Sequence, residues 1–381
     1  MFNLLHTDGA ARRGRITTRH GTIETPVFMP VGTAASVKSL TTEQLTRVGN
    51  AGAPGEVTGR PGPEIMLCNT YHLMLRPGIE VLEKLGGLHR FMGWDRAILT
   101  DSGGFQLFSL ASIRKIREEG VEFRSHIDGS PYFLTPEESV GIQTRMGVDI
   151  AMAFDECPAS GLSHAEVERS MEPTHRWAKR SLSARSGGTA VFGIVQGGIH
   201  EDLRKRSVEE IAGMDFDGVA IGGVSVGESK EQMFQVVDFT APLLPVDRPR
   251  YLMGVGTPED LVNGVAAGID MFDCVMPTRN ARNGSLFTNR GKVAIKNAKH
   301  LTDDSPLDPE CSCMTCRTVS RAYLRHLFVT GEMAASVYST IHNVSFYLDL
   351  MRSIRQSIAS NSFRSFREDF LSRVAGGEKE T

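Results

Sequence analysis

Eight short apolar runs, each followed by a helical pattern, recur between Pro26 and Phe272, and this alternation constrains the fold more than any other feature of the chain. The runs lie at 26–29, 64–68, 97–100, 149–154, 190–195, 218–221, 250–254 and 269–272. Strands of a parallel sheet are buried on both faces and so read as continuous apolar segments, and the helices between them carry the chain back to the same end. Eight such units predict an α/β fold, a closed (β/α)8 barrel. The connecting residues agree. Thr135-Pro136-Glu137-Glu138 and Thr257-Pro258-Glu259-Asp260 each supply an N-cap hydroxyl, a proline for the first helical position and an acid two residues later, while Gly147 and Gly268 suit the positions just past the helix ends.

A parallel barrel collects its chemistry at the carboxyl ends of its strands. In order, those ends carry Asn69, Asp101, Asp155 with Glu156, Gln196, Gly222 with Gly223, and Asp273. Carboxylates, a carboxamide and glycines that admit close backbone approach match a flat, hydrogen-bonding ligand such as a purine. Asp101 opens Asp101-Ser102-Gly103-Gly104-Phe105, in which Phe105 can stack on a ring. Asp273 is followed by Pro277, read as turning the chain, and then by Arg279 and Arg282, whose planar forks suit phosphate. Two carboxylates facing one pocket form an acid/base and nucleophile pair, the arrangement used on anomeric carbons with retention, in which one carbon is attacked twice, first by the carboxylate and then by the incoming group.

Past Lys299 the alternation stops, and 320–374 reads as helices, with Phe346, Leu350 and Ile354 on an apolar stripe and Arg352 and Arg355 expected to be exposed. This divides the chain into a catalytic barrel, 1–299, with a glycine- and proline-rich surface loop at 49–63, and a zinc-binding helical subdomain, 300–381, packed on it. Three of the six cysteines, Cys311, Cys313 and Cys316, crowd into six residues, a metal pattern rather than a disulfide framework. Tetrahedral zinc needs a fourth ligand, and the spacing leaves His326 and His342 both open. Cys68, Cys157 and Cys274 stand singly and are expected to be reduced thiols.

The formal charge of −3 does not mark a nucleic-acid binder, but between Arg279 and Arg325 nine Lys or Arg face four acids, a candidate phosphate-contacting face. With 23% charged residues, no apolar run approaching membrane-spanning length and no apolar core in the first thirteen residues, a membrane span and a signal peptide are excluded and a cytoplasmic protein is expected.

Seven ordered segments then resemble one family: Thr100 to Gln106, Met152 to Cys157, Gly193 to Gly198, Gly222 to Glu228, Tyr251 to Gly256, Phe272 to Gly284 and the Cys-x-Cys-x-x-Cys cluster. Together they resemble the bacterial tRNA-guanine transglycosylases, or queuine tRNA-ribosyltransferases. The resemblance implies exchange of the wobble guanine of tRNAs with a GUN anticodon for 7-aminomethyl-7-deazaguanine (preQ1), on the way to queuosine. It implies Asp273 as nucleophile on ribose C1′, giving a covalent tRNA intermediate, and Asp101 as general acid/base. Asp155, Gln196 and Gly223 would bind the purine edge, Phe105 and Met253 would sandwich its ring, and the Val224 backbone with Glu228 would receive the aminomethyl group. Arg279 and Arg282 would contact the anticodon loop. The resemblance also implies one structural zinc per chain with His342 as fourth ligand, and a homodimer in which one subunit holds the tRNA for the other. Two departures stand out: the 49–63 loop is longer than the family usually has, and Val224 stands where bacterial members often carry Leu.

Four other readings compete. Retention of both Asp101 and Asp273 argues against a noncatalytic accessory subunit, and because the sequence ends soon after the helical pattern the archaeal enzyme type, which carries a C-terminal RNA-binding extension, is not expected. A barrel hydrolase acting on a small nucleoside or sugar, and a nonenzymatic RNA-binding scaffold, are separated from the transferase by whether labelled guanine enters tRNA.

Overall fold

The computed structural model describes residues 2–49, 61–110 and 114–376. Most of the 49–63 loop therefore lies outside the described residues.

The chain opens with an antiparallel sheet of β1 (Phe2–Asp8), β2 (Ala11–Thr18) and β3 (Gly21–Thr25), which the alternation had not announced. The barrel follows with β4 (Val27–Gly32), β5 (Ile65–Asn69) and β6 (Ala97–Asp101). A second antiparallel sheet, β7 (Arg114–Ile116), β8 (Val121–Arg124) and β9 (Pro131–Leu134), is inserted next. Then come β10 (Ile150–Met152), β11 (Ala190–Val195), β12 (Gly218–Ile221), β13 (Arg250–Leu252) and β14 (Met271–Cys274), and finally a hairpin of β15 (Ser285–Thr288) and β16 (Gly291–Ala294).

β4, β5, β6 and β10 to β14 pair in parallel in chain order, and β14 closes on β4 with Met271 opposite Val27 and Cys274 opposite Pro30. All eight expected strands are present. Alternate residues fill the barrel: Val27 and Met29, Ile65 and Leu67, Ala97 and Leu99, Ile150 and Met152, and Ala190, Phe192 and Ile194 belong to one buried cluster. Met66, Cys68 and Ile98 face outward into a second cluster shared with the surrounding helices. This is the period-two pattern of a strand buried on both sides.

The predicted caps form. Thr135 Oγ1 accepts the Glu138 N–H at 3.1 Å and Thr257 Oγ1 accepts the Asp260 N–H at 3.2 Å, each in a reciprocal capping box, with Pro136 and Pro258 beginning the helices. Gly147 and Gly268 both adopt positive φ just past those helix ends.

The first sheet covers the amino-terminal end of the barrel, where Ile16 and Ile23 join the interior cluster. Asp149, at the start of β10, holds it there. Its Oδ1 accepts from His20 Nδ1 at 2.9 Å, its Oδ2 accepts the Ile98 N–H at 3.0 Å, and His89 Nε2 lies 3.3 Å away.

At the other end of the chain, a helix over Met333–Ala359 lies against both the Met276–Asn283 helix and the barrel. It buries Phe346, Leu350 and Ile354 as expected, but not all of the polar face is exposed. Arg355 is buried and donates to the Pro26 carbonyl at 2.9 Å, and half-buried Arg352 pairs with Asp349, because the barrel packs against a face that the stripe alone assigned to solvent. Cys68, Cys157 and Cys274 are free thiols. No described helix is long and apolar enough to cross a membrane.

Candidate active site

The carboxyl ends of the barrel strands carry the candidate groups: Asp101 ends β6, Asp155 and Gln196 follow β10 and β11, Gly222 and Gly223 follow β12, and Asp273 lies in β14. Asp101 is the last residue of β6, and four donors surround it. Its Oδ1 accepts the N–H groups of Thr70 and Gly103 at 3.1 and 3.2 Å, and its Oδ2 accepts from Asn69 Nδ2 at 2.5 Å and Gln106 Nε2 at 3.2 Å. Thr70 and Gly103 can donate because a helix starts directly after β5 and because Gly103 takes φ +83, which a side chain rarely tolerates. Burial pushes the Asp101 carboxyl up to about 7, the Thr70 and Gly103 hydrogen bonds pull it back, and the charge of Asp273 pushes it up again. The Asp273 charge is thus close enough to act on Asp101.

Asp273 lies within β14, not beyond it. One oxygen, Oδ1, accepts both the Tyr251 hydroxyl at 2.6 Å and the Gly254 N–H at 2.8 Å. Burial raises its pKa, and these two donors oppose the rise. Among the described residues, Oδ2 receives no hydrogen bond.

Asp155 and Gln196 form the next wall. Gln196 Nε2 donates to Asp155 Oδ2 at 2.8 Å and Ser102 Oγ donates to Oδ1 at 3.4 Å, while burial raises the Asp155 pKa to about 6 against both bonds. Gln196 is 1% exposed, and its Oε1 is buried with no donor opposite it among the described residues. Such an acceptor is costly unless a ligand supplies the missing donor. Gly223 takes φ +63 and packs directly on Gln196, because a Cβ there would overlap Gln196 Oε1. Val224 is buried beside it, and Glu228 accepts the Ser225 and Val226 N–H groups, the latter at 3.0 Å. Phe105 is 50% exposed, and Met253 is partly buried against the interior cluster.

A model of the family described as queuine tRNA-ribosyltransferase matches residues 8–376. A protein called queuine tRNA-ribosyltransferase from Caldanaerobacter subterraneus subsp. tengcongensis is 54% identical over 372 residues, 97% of this chain and 96% of the relative. One of the same name from Aromatoleum aromaticum is 55% identical over 97% of both chains, and one from Solidesulfovibrio magneticus is 54% identical over 99% of this chain and 98% of the relative. The chain belongs to the queuine tRNA-ribosyltransferase family. It is therefore an enzyme, a pentosyltransferase.

Two further features of this ribosyltransferase-family chain lie on elements that follow β14. Arg279 and Arg282 sit on a helix, Met276–Asn283, so Pro277 starts a helix where the sequence reading had a turn. Three residues apart, they share a face. Arg279 is exposed, and Arg282 is half-buried with Nη1 unpartnered among the described residues. The broader basic stretch is partly neutralised: Arg321 donates to the Leu307 carbonyl and pairs with Asp303 at 3.4 Å, Arg290 pairs with Glu310 at 3.3 Å, and Arg325 donates to the Asn297 carbonyl.

The ligand atoms of Cys311, Cys313, Cys316 and His342 lie within 4.8 Å of one another, and the cluster is largely buried. His342 Nδ1 is 3.7 Å from Cys313 Sγ and 3.3 Å from Cys316 Sγ, while its Nε2 lies 2.6 Å from the Phe287 carbonyl. A backbone acceptor on one ring nitrogen leaves the other free to ligate. The donor set fits a tetrahedral metal ion. His326 is exposed, with its ring beside Tyr323.

Sequence reasoning passed over the supports of these groups. Asn69 was noted as a strand end, but nothing marked Thr70, Gln106, Ser102 or Tyr251 as partners of the carboxylates. Tyr251 lay inside a quoted segment, and its place on β13, the strand next to β14, is the signal that could have found it.

Proposed function

We propose that this enzyme exchanges the wobble guanine of tRNAs with a GUN anticodon for preQ1, by double displacement, in queuosine formation. Asp273 Oδ2 attacks ribose C1′, forming a C–O bond as the bond from C1′ to guanine breaks, and the base leaves with a proton from Asp101. Asp101 then takes a proton from the incoming preQ1, whose nitrogen displaces Asp273 from C1′. Asp273 attacks from the face opposite guanine and preQ1 from the face opposite Asp273, so two inversions return the original configuration.

The observation that carries this reading is the divided Asp273 carboxylate, one oxygen held by Tyr251 and Gly254 and the other unoccupied by any described donor, beside an Asp101 poised at about 7. A general acid works best with a pKa near the operating pH. Asp155, Gln196 and Gly223 bind the purine edge, and Gln196 Oε1 takes the donor it lacks. Phe105 and Met253 sandwich the ring. The Val224 carbonyl and Glu228 receive the aminomethyl group, with Glu228 also orienting its own loop through Ser225 and Val226. Arg279 and Arg282 hold the anticodon-loop backbone around a nucleotide turned out of its stack.

In the same reading the metal is one structural Zn2+, with four protein ligands and no position for water. Residues 1–299 form the catalytic unit and 300–381 the zinc-binding subdomain. The working form is a homodimer, in which one subunit holds the tRNA bound by the other, and a tRNA substrate places it in the cytoplasm.

Incubation with tRNA and labelled guanine tests the reading. Label entering tRNA supports it, whereas release of base without insertion indicates a hydrolase and no reaction indicates a scaffold. A denaturant-stable protein–RNA adduct is expected with the native enzyme, and its persistence in Asp273→Ala would overturn the assignment of the nucleophile.

A further inference from the structure

Arg204 lies on the helix Glu201–Ala212, the element that follows β11, and is completely buried. Among the described residues, all its hydrogen bonds go to backbone carbonyls and none to a carboxylate. Nε donates to Gly198 O at 2.7 Å, Nη1 to Val195 O at 3.1 Å and to Gly222 O at 2.8 Å, and Nη2 to Gly223 O at 3.2 Å. The first two carbonyls belong to the β11 end and the loop after it, on either side of Gln196. The other two belong to the loop after β12. One planar cation therefore ties together two neighbouring loops.

The position is demanding. A buried guanidinium held only by neutral carbonyls is expensive, and burial holds the Arg204 pKa down to about 10 although the Glu228 charge acts the other way. An apolar helix residue would avoid that cost, so the four carbonyls define what the charge does. The two loops meet where Gln196 presses on Gly222 and Gly223, so closely that a Cβ on either glycine would collide with the Gln196 side chain. Gly197 is likewise packed on the Arg204 backbone.

We propose that Arg204 is the positioning residue for base recognition: by holding Val195, Gly198, Gly222 and Gly223 in one fork, it sets the distance between Gln196 and the Gly223 backbone and thereby the grip on the purine edge. This rests on the reading of the cleft as a purine site. The planar fork reaches acceptors on two loops in fixed directions, which a lysine ammonium, a single point of charge, cannot reproduce. Loops displaced by even a fraction of an ångström misplace Gln196 Oε1, and small misplacements of binding groups carry large kinetic costs. The effect falls on the free base more than on tRNA, whose affinity is spread over backbone contacts away from this cleft.

The test uses the full chain with Arg204→Lys and Arg204→Met, following labelled guanine into tRNA, with hypoxanthine as a competitor lacking the exocyclic amine. Expected for Arg204→Lys are a KM for guanine raised by about tenfold, reduced preference for guanine over hypoxanthine, and a KM for tRNA changed by less than about threefold. Arg204→Met is expected to be weaker still and to recover part of its guanine affinity with added guanidinium. If both variants keep the native KM for guanine and the native preference, with only the melting temperature lowered, Arg204 is a structural strut and the proposal falls. Should Arg204→Met not fold, Arg204→Lys alone decides. Failure of the underlying reading looks different: the native enzyme itself then incorporates no guanine, or Asp155→Asn binds it as tightly as the native chain.

Discussion

The Tyr251 hydroxyl donates to Oδ1 of Asp273 across 2.6 Å, so a phenol buried in the barrel interior orients the carboxylate at the end of the next strand. The Gly254 N–H shares that oxygen at 2.8 Å. Both favour the ionised form, against burial, which disfavours it.

Tyr251→Phe removes one of the two opposing donors and leaves the ring in place. The pKa of Asp273 then rises further, and an attacking carboxylate must be ionised. The acid limb of kcat/KM is expected to move to higher pH, with activity near neutrality reduced roughly tenfold or more, as for loss of a hydrogen bond to a charged group. A pH–rate profile checks this. An unmoved acid limb would show that Tyr251 does not tune Asp273.

Asp101 makes a prediction about stability as well as rate. Its folded pKa of about 7 lies above the ordinary 3.8, with burial as the main cause. The folded state therefore holds the proton more tightly, so the contribution of this group is fully present below about pH 4 and is lost as pH rises through about 7. Asp101→Asn removes that dependence. It is expected to abolish exchange while its melting temperature, relative to the native enzyme, improves from pH 4.5 to pH 8. Parallel melting curves across that range would contradict the raised pKa.

The barrel was legible because its two grammars, apolar runs and capped helix starts, repeat along the chain. The additions were not. β1 and β2 place Arg12, Arg13, Arg15, Asn3 and His6 among apolar residues, so no buried face stands out, and only Asp8-Gly9, with Gly9 at φ +62, announced the hairpin. The positions of Asp101, Asp155, Gln196 and Asp273 at one end of the barrel were legible because a parallel barrel fixes where its strand ends project. Tyr251 and Arg204 could not, because their roles depend on which loop or strand lies beside them. Arg355 misled for a related reason: a charged residue beside an apolar stripe reads as exposed unless a backbone carbonyl, here that of Pro26, awaits it.

His342 supplies the clearest structural prediction. With its Nδ1 facing Cys313 and Cys316 and its Nε2 against the Phe287 carbonyl, it links the cysteine loop to β15. Metal analysis is expected to find one ion per chain, and His342→Ala is expected to lose most of it and to melt at lower temperature, whereas exposed His326→Ala retains it. Full occupancy in His342→Ala would exclude the histidine as a ligand.

At the opposite end of the barrel, Asp149 is expected to contribute to acid stability. Burial opposes its charge, but hydrogen bonds from His89, the Ile98 N–H and His20 outweigh this and hold its pKa down at about 2. A depressed folded pKa contributes stability above the unfolded value, here 3.8, that is lost as pH falls through about 2. Asp149→Asn is expected to cost on the order of 2 kcal/mol at neutral pH, with the difference from the native chain shrinking below pH 4. Denaturant melts at pH 7 and pH 2.5 measure it, and an equal deficit at both values would place the effect in packing instead.

Arg279 tests the proposed RNA contact of its helix without disturbing the core, since it is exposed. Each phosphate contact releases counterions, so affinity falls with salt in proportion to the number of contacts. Arg279→Ala is expected to weaken tRNA binding and to lower the slope of log affinity against log salt by about one. The KM for free guanine is expected to stay unchanged, because the proposed base contacts come from Asp155, Gln196 and Gly223 and not from Arg279. Binding titrations at several salt concentrations supply the slope, and an unchanged slope would remove Arg279 from the RNA contact. A slope that falls together with a raised KM for guanine would instead mean that the helix begun at Met276, which follows Asp273 so closely in the chain, transmits its position into the base pocket.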